Sequence, residues 1–244
     1  MIEYRAVGVE VESYDLDGQA SKQQILSDVT LTLTERRVAV IGANGSGKST
    51  LLKLVNGLMK ASTGQVLVEG LDPSRQGKQV RRMVGHVFTD PMAQLVMATP
   101  LEEVELSLRA SVHDRKLRHA RALAILARNG LDRLANRSVH ALSGGERQLV
   151  SLACVLAVEP RIVIADEPTT LLDLRNKMML TRAFDALDQQ LVCSTHDLEL
   201  AGRMDRALLV DSGHIIDDGE PGDIVGHYRA MMEGRADAPR EVRA

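Results

Sequence analysis

At 244 residues the chain is long enough to bury a sizeable core as one ordinary domain or two small ones. Its 44% hydrophobic and 26% charged residues are globular averages, which excludes disordered, collagen-like and coiled-coil classes. A net charge of −3, 2% aromatics and no Trp supply neither a basic face for non-specific nucleic-acid binding nor a platform for stacking bases.

Val7, Val9 and Val11 alternate with Gly8 and Glu10, and Val29, Leu31 and Leu33 alternate with Thr30, Thr32 and Thr34. Both have the period of a half-buried strand, so residues 2–40 read as short strands around a polar turn at 15–19. Arg37–Ile41 reads as a buried strand running into glycines, and the apolar pairs after Lys48 predict a helix stopped by Asn56-Gly57. Further strands are expected at 66–68 and 84–88. From Pro91 to about 157 the texture is helical, and strands return at 162–165, 191–194 and 207–210. Leu180, Phe184 and Leu187 place a helix between the first two of these, and Asp211-Ser212-Gly213 predicts a hairpin turn. The polar tail from about 229 is expected to be loosely held. No apolar run approaches a bilayer span, and the charged N-terminus does not read as a secretory signal. Cys154 and Cys193 sit in apolar runs and suit a reducing compartment, and the seven histidines have no ligand-like spacing.

Gly42-Ala43-Asn44-Gly45-Ser46-Gly47-Lys48-Ser49-Thr50 fits Gly, four residues, Gly-Lys-Ser/Thr, between an apolar strand and an amphipathic helix. Glycines let backbone N–H groups converge on an anion, and the helix aims its positive end at the same point. Lys48 then reaches the β- and γ-phosphates and Ser49 offers a hydroxyl to Mg²⁺, which makes this a nucleoside triphosphate site. Ile162–Ala165 ends in Asp166 and Glu167, an acidic strand end suited to holding Mg²⁺ and to polarising a water. Ser143-Gly144-Gly145-Glu146 is a second start of an anion-binding helix, its Ser143 placed to cap the helix. Two phosphate cradles in one chain make sense if two chains meet head to tail and share nucleotides.

With these residues in this order, the sequence resembles the ATP-binding cassette (ABC) ATPases over residues 2 to about 220. The resemblance implies that Ser143, Gly144 and Gly145 close over the ATP of the opposite subunit. It makes Asp166 the Mg²⁺-associated carboxylate, Glu167 the catalytic base and His196 a γ-phosphate contact. Asp173 is placed on the loop crossing the dimer interface, and Tyr14 against adenine. At the position where the family carries a Gln that touches Mg²⁺, this chain has Thr89, and Gln94 lies five residues on. We expect Thr89 to keep a metal role with shorter reach.

The segment Phe88–Val96 resembles that of energy-coupling factor (ECF) importers for vitamins and transition-metal ions, and Thr89-Asp90-Pro91 resembles their biotin-uptake members. The implied fold is α/β: a P-loop NTPase (RecA-like) core with N-terminal antiparallel β strands and an inserted α-helical subdomain, in the ABC ATPase architecture. Expected boundaries are an ATPase domain at 1–228 (core about 1–88 and 158–220, helical subdomain about 89–157) and a tail at 229–244. The resemblance further implies an ATPase on the cytoplasmic face of the membrane, with ATP and Mg²⁺ as cofactors. Its partners would be a second ATPase subunit (itself or a paralogue), a transmembrane T component and a substrate-binding membrane component, and no nucleic acid. The alternatives are a conventional importer ATPase for another small solute, or a soluble ABC ATPase acting on ribosomes or DNA. The 95 residues between Lys48 and Ser143 without sustained heptads argue against the last.

Overall fold

The computed structural model describes residues 1–14, 20–170 and 172–237, with the side chains of Tyr14 and Asp237 outside the description. β1 (Ile2–Tyr14) pairs antiparallel with β2 (Ala20–Leu33), and β4 (Thr63–Val68) pairs with the other edge of β1. These strands are longer than the short ones expected. The β1–β2 register slips at three places between Tyr4 and Glu10, and Ala6 sits in the left-handed region at φ 49°. Each slip restarts the apolar alternation, so one continuous strand reads as fragments.

The main sheet is built from β3 (Arg37–Ile41), β5 (Val84–Val87), β6 (Ile162–Asp166), β7 (Gln190–Ser194), β8 (Arg206–Asp211) and β9 (His214–Gly219). Its order is β5-β6-β7-β3-β8-β9, parallel apart from the β8–β9 hairpin. Side chains of a strand point alternately to the two faces, and the core divides accordingly. Val38, Val40, Ile162, Ile164, Val192, Leu208 and Val210 face the antiparallel sheet and α1 (Lys48–Val55). Ala39, Ile41, Val163, Ala165, Leu191, Cys193, Ala207 and Leu209 face the other way. That second core is shared by α3 (Pro100–Leu108), α4 (Arg115–Arg128), α5 (Gly144–Leu156) and α6 (Leu174–Asp185) through residues such as Val104, Leu126, Leu152 and Phe184. The apolar strands are buried on both faces, which is why they read as continuous runs. Burial pushes the Cys154 thiol up to about 12 and raises Cys193 as well, leaving both as unreactive core groups.

Three helices lie outside the sequence expectation: α2 (Gly77–Met83), α7 (Leu198–Ala201) and α8 (Pro221–Asp237). α8 corrects the expectation of a loose segment from 229, because the helix runs on to Asp237. Its own Ile224 and Val225 are buried against the body, and Arg235 forms a two-pronged ion pair with Asp211 at 2.8 and 2.9 Å. Polar residues dominate its sequence because only one narrow stripe faces the body.

His86, on β5, ties the sheet to the end of α1. Its Nδ1 lies 2.6 Å from the Asn56 side-chain amide, its ring stacks on Phe88 at 4.5 Å, and its buried Nε2 has no partner. Burial pushes its pKa down to about 4, against the pull of Asp166. Below pH 6.5 the unfolded chain takes up a proton that the folded chain resists until about pH 4, so stability falls as pH drops through this window. The gap corresponds to about 2 kcal/mol between pH 7 and pH 4.5. Urea unfolding of His86→Leu at the two pH values should show a loss on acidification smaller by about that amount than in the native chain. Equal losses would place the titrating group elsewhere.

Candidate nucleotide site

The C-terminal ends of β3, β6 and β7 converge, as ligand-binding edges of parallel sheets do. β3 delivers Gly42 at φ 148°, where a Cβ would lie 2.0 Å from the Val210 carbonyl oxygen. Only glycine passes so close to the neighbouring strand β8. Gly47 then caps α1 in the left-handed conformation, at φ 110°, and a Cβ there would meet Leu26 at 2.7 Å. No side chain caps α1 and its first turn holds no acidic residue, so the positive end of the helix is left for an outside anion. The buried Ser46 Oγ has no hydrogen-bond partner, a second mark of a cradle shaped for an acceptor oxygen.

Lys48 is buried and donates to the carbonyls of Gly42 at 2.9 Å and Ala43 at 3.0 Å, with Glu167 Oε1 at 3.6 Å. Ser49 Oγ donates to Asp166 Oδ1 at 2.8 Å, so the two expected metal ligands are already neighbours. Asn44 and Gly45 are exposed on the loop and Thr50 is half-buried on α1. Ser194 also donates to Asp166 Oδ1, at 2.6 Å, and its Oγ accepts the Glu167 N–H at 3.0 Å. One hydroxyl therefore fixes both carboxylate residues. The sequence carried no sign of this, because it depends on β6 and β7 pairing Asp166 with Ser194.

Glu167 occupies the left-handed region at φ 48°, a conformation that costs a non-glycine residue of order 1 kcal/mol. The turn aims its carboxylate at His196, whose N–H and Nδ1 lie 3.1 and 2.7 Å from Oε2. Thr89 donates to the Asp166 carbonyl at 2.8 Å. Gln94 faces elsewhere: its Oε1 accepts from Ser151 Oγ at 2.6 Å, on α5. Thr89, and not Gln94, therefore lies against Asp166.

A cavity of about 510 Å³ is lined by Gly42, Ala43, Asn44, Thr89, Glu167, Thr170, His196 and Tyr228. Ser143 and Asp173 line a different one, of about 250 Å³, beside Asn176. Ser143 caps α5 in a reciprocal box with Glu146, and the Ser143 N–H holds the Glu146 carboxyl below its ordinary value. Asp173 caps α6, and the Asn176 side chain lies where a Cβ on Gly145 would clash, leaving Gly144 open. Within one chain, then, the second helix start does not meet the first. Tyr14 ends β1, but its side chain lies outside the described residues, as does Leu171. A further cleft of about 760 Å³, between α4, α5 and α6, holds none of these groups.

A strand–loop–helix anion cradle with a lysine, a hydroxyl–carboxylate pair and a second carboxylate defines a P-loop nucleotide-binding protein. Comparison with known proteins narrows the class. The family model described as ABC transporter matches residues 26–170, and the chain belongs to that family as an ATP-binding subunit. An ABC transporter ATP-binding protein of Bartonella quintana is 45% identical over 85% of this chain and 92% of its own length. The biotin transport ATP-binding protein BioM of Rhizobium etli is 38% identical, covering 84% and 92%. The energy-coupling factor transporter ATP-binding protein EcfA1 of Halalkalibacterium halodurans is 34% identical, covering 92% and 82%. Among solved structures, the ATP-binding cassette MJ0796, a dimer bound to ADP and Pi, matches with a TM-score of 0.78 at 28% identity, covering 91% of this chain and 99% of that one. The cbiO1 protein of Clostridium perfringens, part of the transporter complex cbiONQ, matches at 0.77 and 27%, covering 98% and 96%. The ABC ATPase fold expected from the sequence is the fold observed.

Proposed function

We propose that this chain hydrolyses ATP to drive a membrane importer of the ECF type, with biotin the favoured cargo. The observation that carries the reading is the separation of the two cradles within one chain. The phosphate loop, Asp166, Glu167 and His196 form one half-site, and Ser143–Gly145 with Asp173 forms the complementary half on another cavity. Two such chains facing head to tail complete two nucleotide sites. The names of the BioM and EcfA1 relatives support the importer branch.

On this reading the Lys48 ammonium leaves the Gly42 and Ala43 carbonyls for the β- and γ-phosphates, and the N–H groups of the loop hold the phosphate oxygens. Ser49, Asp166 and Thr89 would hold Mg²⁺, which when bound neutralises charge on the phosphates. The donor set is oxygen only, as that ion prefers. Glu167 takes the proton of the attacking water, and His196 steadies the charge that develops on the γ-phosphate. Gly42, Asn44, Gly45, Ser46, Gly47 and Thr50 complete the binding loop.

Val96 is 72% exposed, and Met97 and, on α3, Leu106 are exposed as well. Exposed apolar side chains on this segment suit a helix of the T component, which would carry closure of the ATPase pair to the membrane. No helix among the described residues is long and apolar enough to cross a membrane. Thr89→Gln, restoring the usual family residue, should change the ATPase rate or its dependence on the membrane partner about threefold or more. Identical rates with and without the partner would make the Thr mechanistically silent.

The test of the whole reading is purification of the chain from solubilised host membranes with mass spectrometry of its partners. Recovery of a T-type membrane protein together with a small substrate-binding membrane protein is expected. Two conventional permease subunits would remove the ECF branch, and exclusively soluble partners would remove the importer.

A further inference from the structure

One wall of the phosphate-loop cavity comes from no motif: it is Tyr228, on α8. The chain has only three Tyr and two Phe, and the others are otherwise engaged or undescribed. Tyr4 is 1% exposed and its hydroxyl donates to the Leu51 carbonyl at 2.9 Å; Phe184 is 1% exposed in the core; Phe88 stacks on His86. The Tyr14 side chain lies outside the described residues. Tyr228 is half-buried, and its hydroxyl makes no hydrogen bond to another described residue.

Its position is fixed at both ends of the helix. At the start, Glu220 Oε2 accepts the N–H groups of Gly222 and Asp223 at 2.8 and 3.2 Å. Ile224 and Val225 are buried, and Tyr228 and Met231 continue the same stripe onto the core at helical spacing. Next to the tyrosine, His227 pairs with Asp217 on β9, and beyond it Arg235 grips Asp211 at the end of β8. An aromatic ring on a helix so held has only two side-chain torsions left to place its hydroxyl. It shares its cavity with Ala43 and Asn44 of the phosphate loop and with Glu167 and His196, the last two of which face the terminal phosphate on the reading proposed above.

We propose that Tyr228 is a nucleotide-binding residue of this site: its phenolic O–H donates to the terminal phosphate of bound ATP, which makes α8 a reader of whether that phosphate is present. The inference rests on the ATP-site reading above. A hydroxyl donating to a charged oxygen is among the stronger side-chain hydrogen bonds, and losing one costs about tenfold in affinity. ADP, which lacks the acceptor, gains nothing from it. Ordering of the Tyr228 ring by ATP would pass directly to α8 and to the β8–β9 hairpin it clasps.

The test is calorimetric titration of the full chain and of Tyr228→Phe with Mg²⁺ and either AMP-PNP or ADP. The Phe variant keeps the packed ring, so its nucleotide-free melting temperature should stay within about 3 °C of the native value. AMP-PNP should bind it about tenfold more weakly and ADP within twofold. Equal weakening of both nucleotides, or no weakening of either, would overturn the proposal. So would a larger fall in melting temperature, which would assign the hydroxyl to the fold. A native chain that binds neither nucleotide would sink the ATP-site reading itself, whereas native binding with no AMP-PNP effect in the variant sinks only the role of Tyr228.

Discussion

Glu167→Gln will bind ATP and turn it over at least about 100-fold more slowly than the native chain, the usual cost of losing a general base. The substitution keeps the volume of the side chain and leaves an amide oxygen to accept the His196 N–H, now 3.1 Å from Oε2. The main-chain N–H stays bound to Ser194, so the turn after β6 is preserved. What disappears is the capacity to take a proton from water. With chemistry blocked and both half-sites intact, Mg·ATP should hold two chains together, and the variant should elute from a sizing column as a dimer with ATP and as a monomer without it. Turnover at the native rate would remove Glu167 from its role. Slow turnover without a dimer would keep the base and discard the shared nucleotide.

Lys48→Ala should lower affinity for Mg·ATP by about 100-fold, in the range measured when one partner of a buried charged contact is truncated. The Lys48 side chain is buried, and its ammonium is held by two carbonyls and the nearby Glu167 carboxylate. It is thus a desolvated cation kept ready for a stronger anionic partner. Lys48→Arg should rescue little, because a planar fork does not fit a slot built around one point donor. Calorimetry with a non-hydrolysed analogue reads the effect without involving Glu167. An affinity within threefold of native would mean that the backbone N–H groups and the metal carry phosphate binding without the lysine.

Legibility from the sequence followed the range of the interactions. The phosphate loop, the acidic end of β6 and the Ser143 cap are local devices whose chemistry lies within ten residues, and each stands where its residues suggested. Strands buried on both faces were visible as Val, Ile and Ala runs. The failures are non-local. β1 and β2 read as fragments because bulges reset the period, and α8 was lost because its buried stripe is diluted by charge. Ser194 stayed hidden because its partners are set by strand register, and Tyr228 because it reaches the cavity from a helix the periodicity did not show. The surroundings of Thr89 and Gln94 were separable only when their hydrogen bonds ran to different elements, β6 for Thr89 and α5 for Gln94.

The left-handed backbone at Glu167 has an evolutionary consequence. A glycine would sit there without strain, so replacing Glu167 by glycine is offset by relief of the main chain. Purifying selection on abundance alone would therefore not defend this position. A lineage in which transport ceased to matter would drift toward glycine in place of Glu167 while still producing a folded, nucleotide-binding protein. With the role proposed for Glu167, the acid persists where turnover itself is under selection.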